Sequence, residues 1–228
     1  QNGRLRNNVL VVDSGYAMNV SNNSQVGFQS DNNLIYVTGT GKVGFWQGLE
    51  QATLSAWRRA TFTDSNSLST DPLFVNPHGA DSLLGYFAAT SDGRDDDFHL
   101  MSLYGSYHSG SPAPTLSMIS GLPVLLAPVL TSDASQSPGI DRGDAADSFS
   151  SEPSPNGGYI NLGAFGNTAQ ASLSPTEYVN VLGPDGGETW LVGQTFSIRW
   201  RSHNKNGNVD IDLMQDGNPT PIFSIAAS

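Results

Sequence analysis

The sequence contains no cysteine, few basic residues and no long hydrophobic run. Without cysteine among its 228 residues, the chain has neither a disulfide framework nor a thiolate metal site. The 10 basic and 21 acidic residues give a formal net charge of −11. Because phosphate binding needs basic patches, nucleic acid is excluded as a partner. No apolar run reaches the roughly 18 residues of a membrane span, so we expect none.

What the sequence does contain is turn residues. Hydrophobic residues make up 37% of the chain, which also has 25 glycines and 13 prolines. Glycine and proline interrupt helices, so we expect many turns and no long helix. The chain begins at Gln1 rather than at Met, and we expect it to be part of a longer protein whose targeting signals lie elsewhere.

Short β-type runs separated by polar turns fill residues 7–75. The runs are Val9–Val12, Tyr16–Val20, Val26–Phe28, Leu34–Val37 and Lys42–Trp46. Strands this short cannot each bury a face alone, which predicts a solenoid whose strands stack on their neighbours. Asparagine pairs recur in the turns at residues 7–8, 22–23 and 32–33, and they predict either ordinary loop positions or a ladder of stacked amides.

One stretch, Thr53–Ala60, has helical character. Thr53 or Ser55 can cap its start, and Leu54 and Trp57 fall on one face. We therefore expect a short helix beside the strands, with Trp57 used for packing.

Four later segments follow one another as DPLFV (71–75), DFHL (97–100), SPGIDRGD (137–144) and EPSPNGGYINLGAFGNT (152–168). In order and spacing they resemble the closing coils of bacterial right-handed parallel β-helix proteins. Gly139, Arg142, Tyr159 and Phe165 depart from the residues usual in that family. The resemblance implies an all-β fold, with a right-handed parallel β-helix and its cap over residues 1–172.

A second resemblance begins after a linker at residues 173–177. The segments GPDGGETWLVG (183–193) and FSIRW (196–200) resemble the start of an Ig-like module named for Ser/Thr-rich, lipid-anchored cell-wall assembly proteins. Residues 178–228 are fewer than the roughly 100 of a full sandwich, so we expect an incomplete module. Its open edges predict packing on the first domain or self-association.

Bacteria attach such modules to secreted enzymes and surface proteins, so the resemblances imply an extracellular location and a polysaccharide ligand. A glycoside hydrolase needs two carboxyl groups about 5–10 Å apart, and stacked strands bring equivalent positions to roughly that spacing. The candidate carboxylates are Asp13, Asp31, Glu50 and Asp64. Lys42 is the candidate base of a polysaccharide lyase. The candidate sugar-stacking residues are the aromatic side chains of Tyr36, Phe45 and Trp46.

An acidic segment near two histidines offers a third kind of site. Asp95, Asp96, Asp97, His99 and His108 are the candidate ligands, and dense carboxylates suit a hard cation such as Ca²⁺. The alternative is a solvated acidic loop.

Three functions therefore remain open. The first is a secreted or surface protein that binds or depolymerises a polysaccharide, as a glycoside hydrolase or a lyase if it is an enzyme. The second is a structural or adhesive surface segment without catalysis. The third is a metal-assisted hydrolase.

Overall fold

A computed structural model describes residues 2–88, 91–108, 115–116, 118–119, 123–124, 127–186 and 188–226. The chain begins with seven strands and a helix: β1 (Arg4–Arg6), β2 (Val9–Val12), β3 (Tyr16–Asn19), β4 (Gln29–Asp31), β5 (Leu34–Val37), β6 (Lys42–Trp46), β7 (Leu49–Gln51) and α1 (Leu54–Thr61). Strands β1, β2 and β3 pair in parallel with β4, β5 and β6, respectively. Strand β7 then turns back and pairs antiparallel with β6.

Stacked asparagines hold the first parallel strands in register. The side-chain nitrogen of Asn8 donates to the Oδ1 atom of Asn33, 25 residues later, at 2.9 Å. Asn33 in turn donates to the buried carboxylate of Asp64 at 3.2 Å. The predicted amide ladder is therefore confirmed for this pair, whereas Asn22 and Asn23 lie in a separate 3₁₀ turn.

Helix α1 forms where the sequence predicts it. The Thr53 hydroxyl accepts a hydrogen bond from the backbone N–H of Ala56 at 3.1 Å, which caps the first turn. Leu54 and Trp57 are buried, and Trp57 is fully enclosed. Its ring packs so closely over β6 that a Cβ atom at Gly44 would lie 2.3 Å from it, so only glycine fits there.

The main core lies between these strands and α1. Six buried side chains form it: Met18, Ile35, Val43, Trp46, Leu54 and Trp57. A smaller cluster joins Leu34 and Leu68 to Leu162, so it ties the later part of the chain to the first strands.

The middle of the chain forms short strands with a different pairing. They are β8 (Phe74–Asn76), β9 (Tyr86–Ala88), β10 (Ser91–Asp92), β11 (Asp97–Leu100), β12 (Ser106–His108), β13 (Thr115–Leu116), β14 (Pro123–Val124) and β15 (Val129–Thr131). They pair as β8 with β11, β9 with β10, β12 with β15 and β13 with β14, all antiparallel.

The predicted right-handed parallel β-helix over residues 1–172 is therefore wrong, and so is its description as a solenoid. The described strands form separate sheets of two or three strands. Within the described ranges, parallel pairing is confined to β1–β6 and one further bridge between Leu34 and Leu68. Carboxylates explain part of the difference, because Asp95 and Asp96 accept hydrogen bonds from backbone N–H groups of residues 80, 81 and 85. These bonds close local turns and favour β-rich hairpins over continued stacking.

Four strands complete the chain: β16 (Tyr178–Gly183), β17 (Arg199–His203), β18 (Ile211–Leu213) and β19 (Phe223–Ala226). They form two antiparallel pairs, β16 with β17 and β18 with β19. An Ig-like module over residues 178–228 stays a prediction. Phe196 and Ile198, which belong to the FSIRW segment of that resemblance, precede β17.

Strand β17 packs on the body of the protein through its arginines. Arg201 donates to the backbone oxygen of Asp141 at 2.6 Å, and its guanidinium lies 3.6 Å from the centroid of the Tyr159 ring. Arg199 donates to the side chain of Asn66 at 2.6 Å. The opposite side of the strand carries Trp200, which is 44% exposed. Self-association through such surfaces stays a prediction.

Among the residues that the structure describes, no helix has both the length and the apolar character that crossing a membrane requires.

Candidate functional site

Three strands bring four chemically useful side chains together at one surface. Tyr16 lies beside Lys42 in the β3–β6 register, and Phe45 lies beside Glu50 in the β6–β7 register. The Tyr16 hydroxyl donates to the Oε1 atom of Glu50 at 2.6 Å, and the Lys42 Nζ atom is 3.2 Å from Oε2. The Tyr16 and Phe45 rings are 5.3 Å apart between centroids, with an angle of 48° between their planes. We call these four residues the sheet patch.

Hydrogen bonding sets the protonation of the sheet patch. The bond from Tyr16, followed by the bond from Lys42, lowers the pKa of Glu50, because both donors favour the ionised carboxylate. The same bond raises the pKa of Tyr16. At neutral pH Glu50 is therefore a carboxylate and Tyr16 a neutral phenol.

This chemistry suits recognition better than hydrolysis. Glu50 is the one carboxylate among the four residues, whereas glycoside hydrolysis ordinarily needs two carboxyl groups flanking the scissile bond. The side chains of Lys42 and Glu50 are 30% and 53% exposed, so both charges can reach a ligand. Lys42 is ion-paired with Glu50, so its Nζ atom is already engaged within the patch.

The structure thus brings together three predicted site residues, Lys42, Phe45 and Glu50. Sequence reasoning missed Tyr16, although its place at the start of a β-type run was visible. The missing information was the parallel register, which alone puts Tyr16 beside Lys42.

The other predicted carboxylates have structural contacts. Asp13 accepts from the Thr38 hydroxyl at 3.1 Å. Asp31 accepts from both the backbone and the side chain of Asn66, at 2.7 and 2.6 Å. Neither carboxylate belongs to the sheet patch.

Asp64 is the centre of a buried hydrogen-bond network. It is fully buried, and its Oδ1 atom accepts from Ser67 at 2.6 Å and from Ser30 at 2.9 Å. Its Oδ2 atom accepts from the indole nitrogen of Trp57 at 2.8 Å. A carboxylate enclosed in this way fixes the turn after α1, and its oxygens are directed away from any ligand.

Two of the predicted sugar-stacking aromatics do not offer a free face. Trp46 is only 8% exposed and packs edge-on against Trp57, with ring centroids 5.8 Å apart. Tyr36 is partly buried and packs against the cluster around Leu34. Phe45 is the predicted aromatic that remains partly open beside charged groups.

The predicted metal ligands lie in separate arrangements. Asp95 and Asp96 close turns, as described above. His99 is buried, with Nδ1 2.6 Å from Asp97 Oδ1 and with its ring stacked 3.5 Å from the ring of Phe165. Within the described part of the chain, no three His, Asp or Glu side chains come together as a ligand set.

His108 belongs to a different contact. Its Nε2 atom lies 2.9 Å from Asp133 Oδ1, and the Ser106 hydroxyl donates to Oδ2 of the same aspartate at 2.6 Å. Because serine and histidine both bind Asp133, this is not a relay in which a histidine activates a serine nucleophile.

Sequence reasoning also missed two buried carboxyl groups, Asp141 and Glu152. Burial raises the pKa of Asp141 to about 6 and that of Glu152 to about 7. Each keeps one oxygen, Asp141 Oδ2 and Glu152 Oε2, buried without a hydrogen-bond partner among the described residues. Nothing in the pattern of an acidic residue within a turn distinguishes a buried position from an exposed one.

Comparison with known proteins adds no assignment. No family model, curated protein or solved structure matches the chain. Both family resemblances therefore stay predictions.

Proposed function

We propose that the protein binds carbohydrate at the sheet patch of Tyr16, Lys42, Phe45 and Glu50. The observation that carries the proposal is the pairing of two neighbouring aromatic rings with an adjoining Lys–Glu ion pair. Aromatic rings offer flat apolar faces on which the C–H side of a sugar ring can stack. Charged donors and acceptors beside them form strong hydrogen bonds with hydroxyl groups.

Each residue has a distinct part in this binding. Phe45 and Tyr16 supply the stacking surface. Glu50, whose pKa is lowered, accepts hydrogen bonds from sugar hydroxyls, and Lys42 donates to them. Binding is favoured over depolymerisation because the patch contains a single carboxylate. The resemblance to families of secreted proteins supports an extracellular setting.

Calorimetric titration with neutral hexasaccharides of xylose, mannose, glucose and N-acetylglucosamine tests the proposal. We expect at least one of them to bind, and Phe45→Ala to weaken that binding by about tenfold, equivalent to about 1.4 kcal/mol. Glu50→Gln should also weaken binding, because it removes the ion pair and the charged acceptor.

A matched control is available in Tyr86, an aromatic residue that is 76% exposed on β9. Tyr86→Ala removes a surface ring without touching the sheet patch, so it should bind as the unmodified protein does. Equal losses for Tyr86→Ala and Phe45→Ala, or no binding of any hexasaccharide, would overturn the proposal.

A further inference from the structure

A cavity of about 520 Å³ lies between the start of α1 and the described residues Asp185, Gly186 and Thr189. We call it the seam cavity. Its volume falls within the range of small-molecule sites. The polar groups that line it come from Thr53, Ser55, Arg59, Ser69, Asp185 and Thr189.

Ion pairs fix the walls of the seam cavity. Arg58 holds Asp185 through two parallel hydrogen bonds, both of 2.9 Å. The Glu188 carboxylate accepts from the backbone N–H groups of Asp185 and Gly186, also at 2.9 Å. Arg58 additionally donates to the backbone oxygen of Asp64 at 2.7 Å. A site held in this way is preorganised, so little freedom is lost when a ligand enters.

The charges around the seam cavity leave one cation available. Asp185 is neutralised by Arg58, whereas the Arg59 guanidinium contacts only the Ser55 hydroxyl, at 2.7 Å, among the described residues. Arg59 therefore has no carboxylate partner there, in a chain with twice as many acidic as basic residues. A guanidinium pairs in a planar, two-point fashion with a carboxylate.

The remaining lining groups indicate the rest of the ligand. Four residues with hydroxyl groups, Thr53, Ser55, Ser69 and Thr189, line the cavity, and among the described residues no aromatic ring does. Such a surface suits a ligand with several hydroxyl groups rather than an apolar one. The net charge of −11 disfavours a long polyanion, so a ligand with a single acidic group fits best.

We propose that the seam cavity binds one acidic sugar unit, a uronate, with its carboxylate on Arg59 and its hydroxyls on the surrounding serines and threonines. This goes beyond the sheet patch because it adds a second site, and it rests on the proposed function only in taking a sugar as the ligand. The two sites share no residue, so they can be tested separately.

The experiment is an amide-resolved NMR titration with glucuronate, galacturonate, glucose and inorganic sulfate. Both uronates should shift the amide signals of residues 53, 55, 69 and 189, and glucose and sulfate should shift them far less. Arg59→Gln should weaken uronate binding by about tenfold, and Arg59→Lys by less, because lysine keeps the charge but loses the planar contact.

Arg4→Gln provides the control, since Arg4 is an exposed arginine whose side chain contacts Gln29. It makes the same change of charge outside the seam cavity and should leave uronate binding unchanged. The inference would be overturned if Arg4→Gln weakened uronate binding as much as Arg59→Gln does. It would also be overturned if sulfate bound as strongly as the uronates, or if the uronates shifted no amide signal of the seam cavity. Phe45→Ala should not affect uronate binding, so failure of the sheet patch and failure of the seam cavity give different results.

Discussion

The buried carboxyl groups of Glu152 and Asp141 should make the protein less stable as the pH rises. The pKa of Glu152 is raised from 4.5 to about 7, and that of Asp141 from 3.8 to about 6. Both groups therefore bind protons more tightly in the folded than in the unfolded chain. Their contribution to stability is complete below pH 4 and is lost as the pH rises through 6 and 7.

The size of the effect follows from the shifts. One pKa unit corresponds to about 1.4 kcal/mol. Between pH 5 and pH 8, Glu152 alone should lower the free energy of unfolding by about 2 kcal/mol, and Asp141 by about 1 kcal/mol more. Removing the ionisable group should remove the corresponding dependence.

The perturbation is Glu152→Gln, which imitates the protonated carboxyl. The Oε1 atom of Glu152 accepts from the backbone N–H groups of Asn161 and Asn167, both at 2.8 Å, and a glutamine oxygen can accept the same bonds. Urea unfolding at pH 5 and pH 8 should show nearly equal stability for the variant and the unmodified protein at pH 5. At pH 8 the variant should be more stable, by about 2 kcal/mol.

Comparing the variant with the unmodified protein at each pH cancels the contribution of the other titrating groups. A variant that is equally or less stable at pH 8 would refute the reasoning, because it would show that Glu152 is ionised in the folded protein at little cost. A large loss of stability at pH 5 as well would show that the amide cannot take the place of the carboxyl group.

Three further predictions concern packing and the attachment of the C-terminal strands. Gly44→Ala should lower the free energy of unfolding in urea by about 1–3 kcal/mol, because the added Cβ would overlap the Trp57 ring. An unchanged urea midpoint would show that the ring moves freely. Asp64→Asn should lower the free energy of unfolding by about 3 kcal/mol, since an amide nitrogen cannot accept the hydrogen bonds that the buried carboxylate accepts. A decrease of less than about 1 kcal/mol would contradict the central role of the Asp64 network. Arg201→Ala should speed tryptic cleavage after Arg199 about tenfold by loosening β17 from the body, whereas an unchanged rate would show that other contacts hold the strand.

Local features were predictable from the sequence where local interactions decide them. Helix α1 depends on a cap at Thr53 and on apolar side chains at helical spacing, and both lie within a few residues. The strands Val9–Val12, Leu34–Val37 and Lys42–Trp46 also lie where their β-branched and aromatic residues predict. The run at 26–28 is not a strand, and the strand instead occupies Gln29–Asp31, because pairing with β1 outweighs its polar composition.

Strand pairing was not predictable from the same patterns. A short run of β-formers bounded by turn residues is compatible with a parallel neighbour 25 residues away, as for Val9 and Leu34. It is equally compatible with an antiparallel neighbour across a turn. The hydrogen bonds of Asp95 with the backbone of residues 80 and 81 favour antiparallel pairing in the middle of the chain. They connect groups whose proximity the sequence does not reveal.

The candidate site was predictable in part for the same reason. Lys42, Phe45 and Glu50 lie close together along the chain, so their residue types indicated a site. Tyr16 joins them only through the β3–β6 register. The burial of Trp46 follows from its contact with Trp57 on α1, a tertiary contact that a cluster of aromatic residues in sequence does not reveal.

The most direct test of the central claim is an amide-resolved NMR titration of the unmodified protein with the neutral hexasaccharide that binds best in calorimetry. The account predicts that the largest shifts belong to residues 16, 42, 45 and 50, and that in Phe45→Ala the shifts of residues 16, 42 and 50 need about tenfold more sugar to reach half their full size. Shifts concentrated elsewhere on the protein, or no shifts at these four residues at saturating sugar, would contradict carbohydrate binding at the sheet patch.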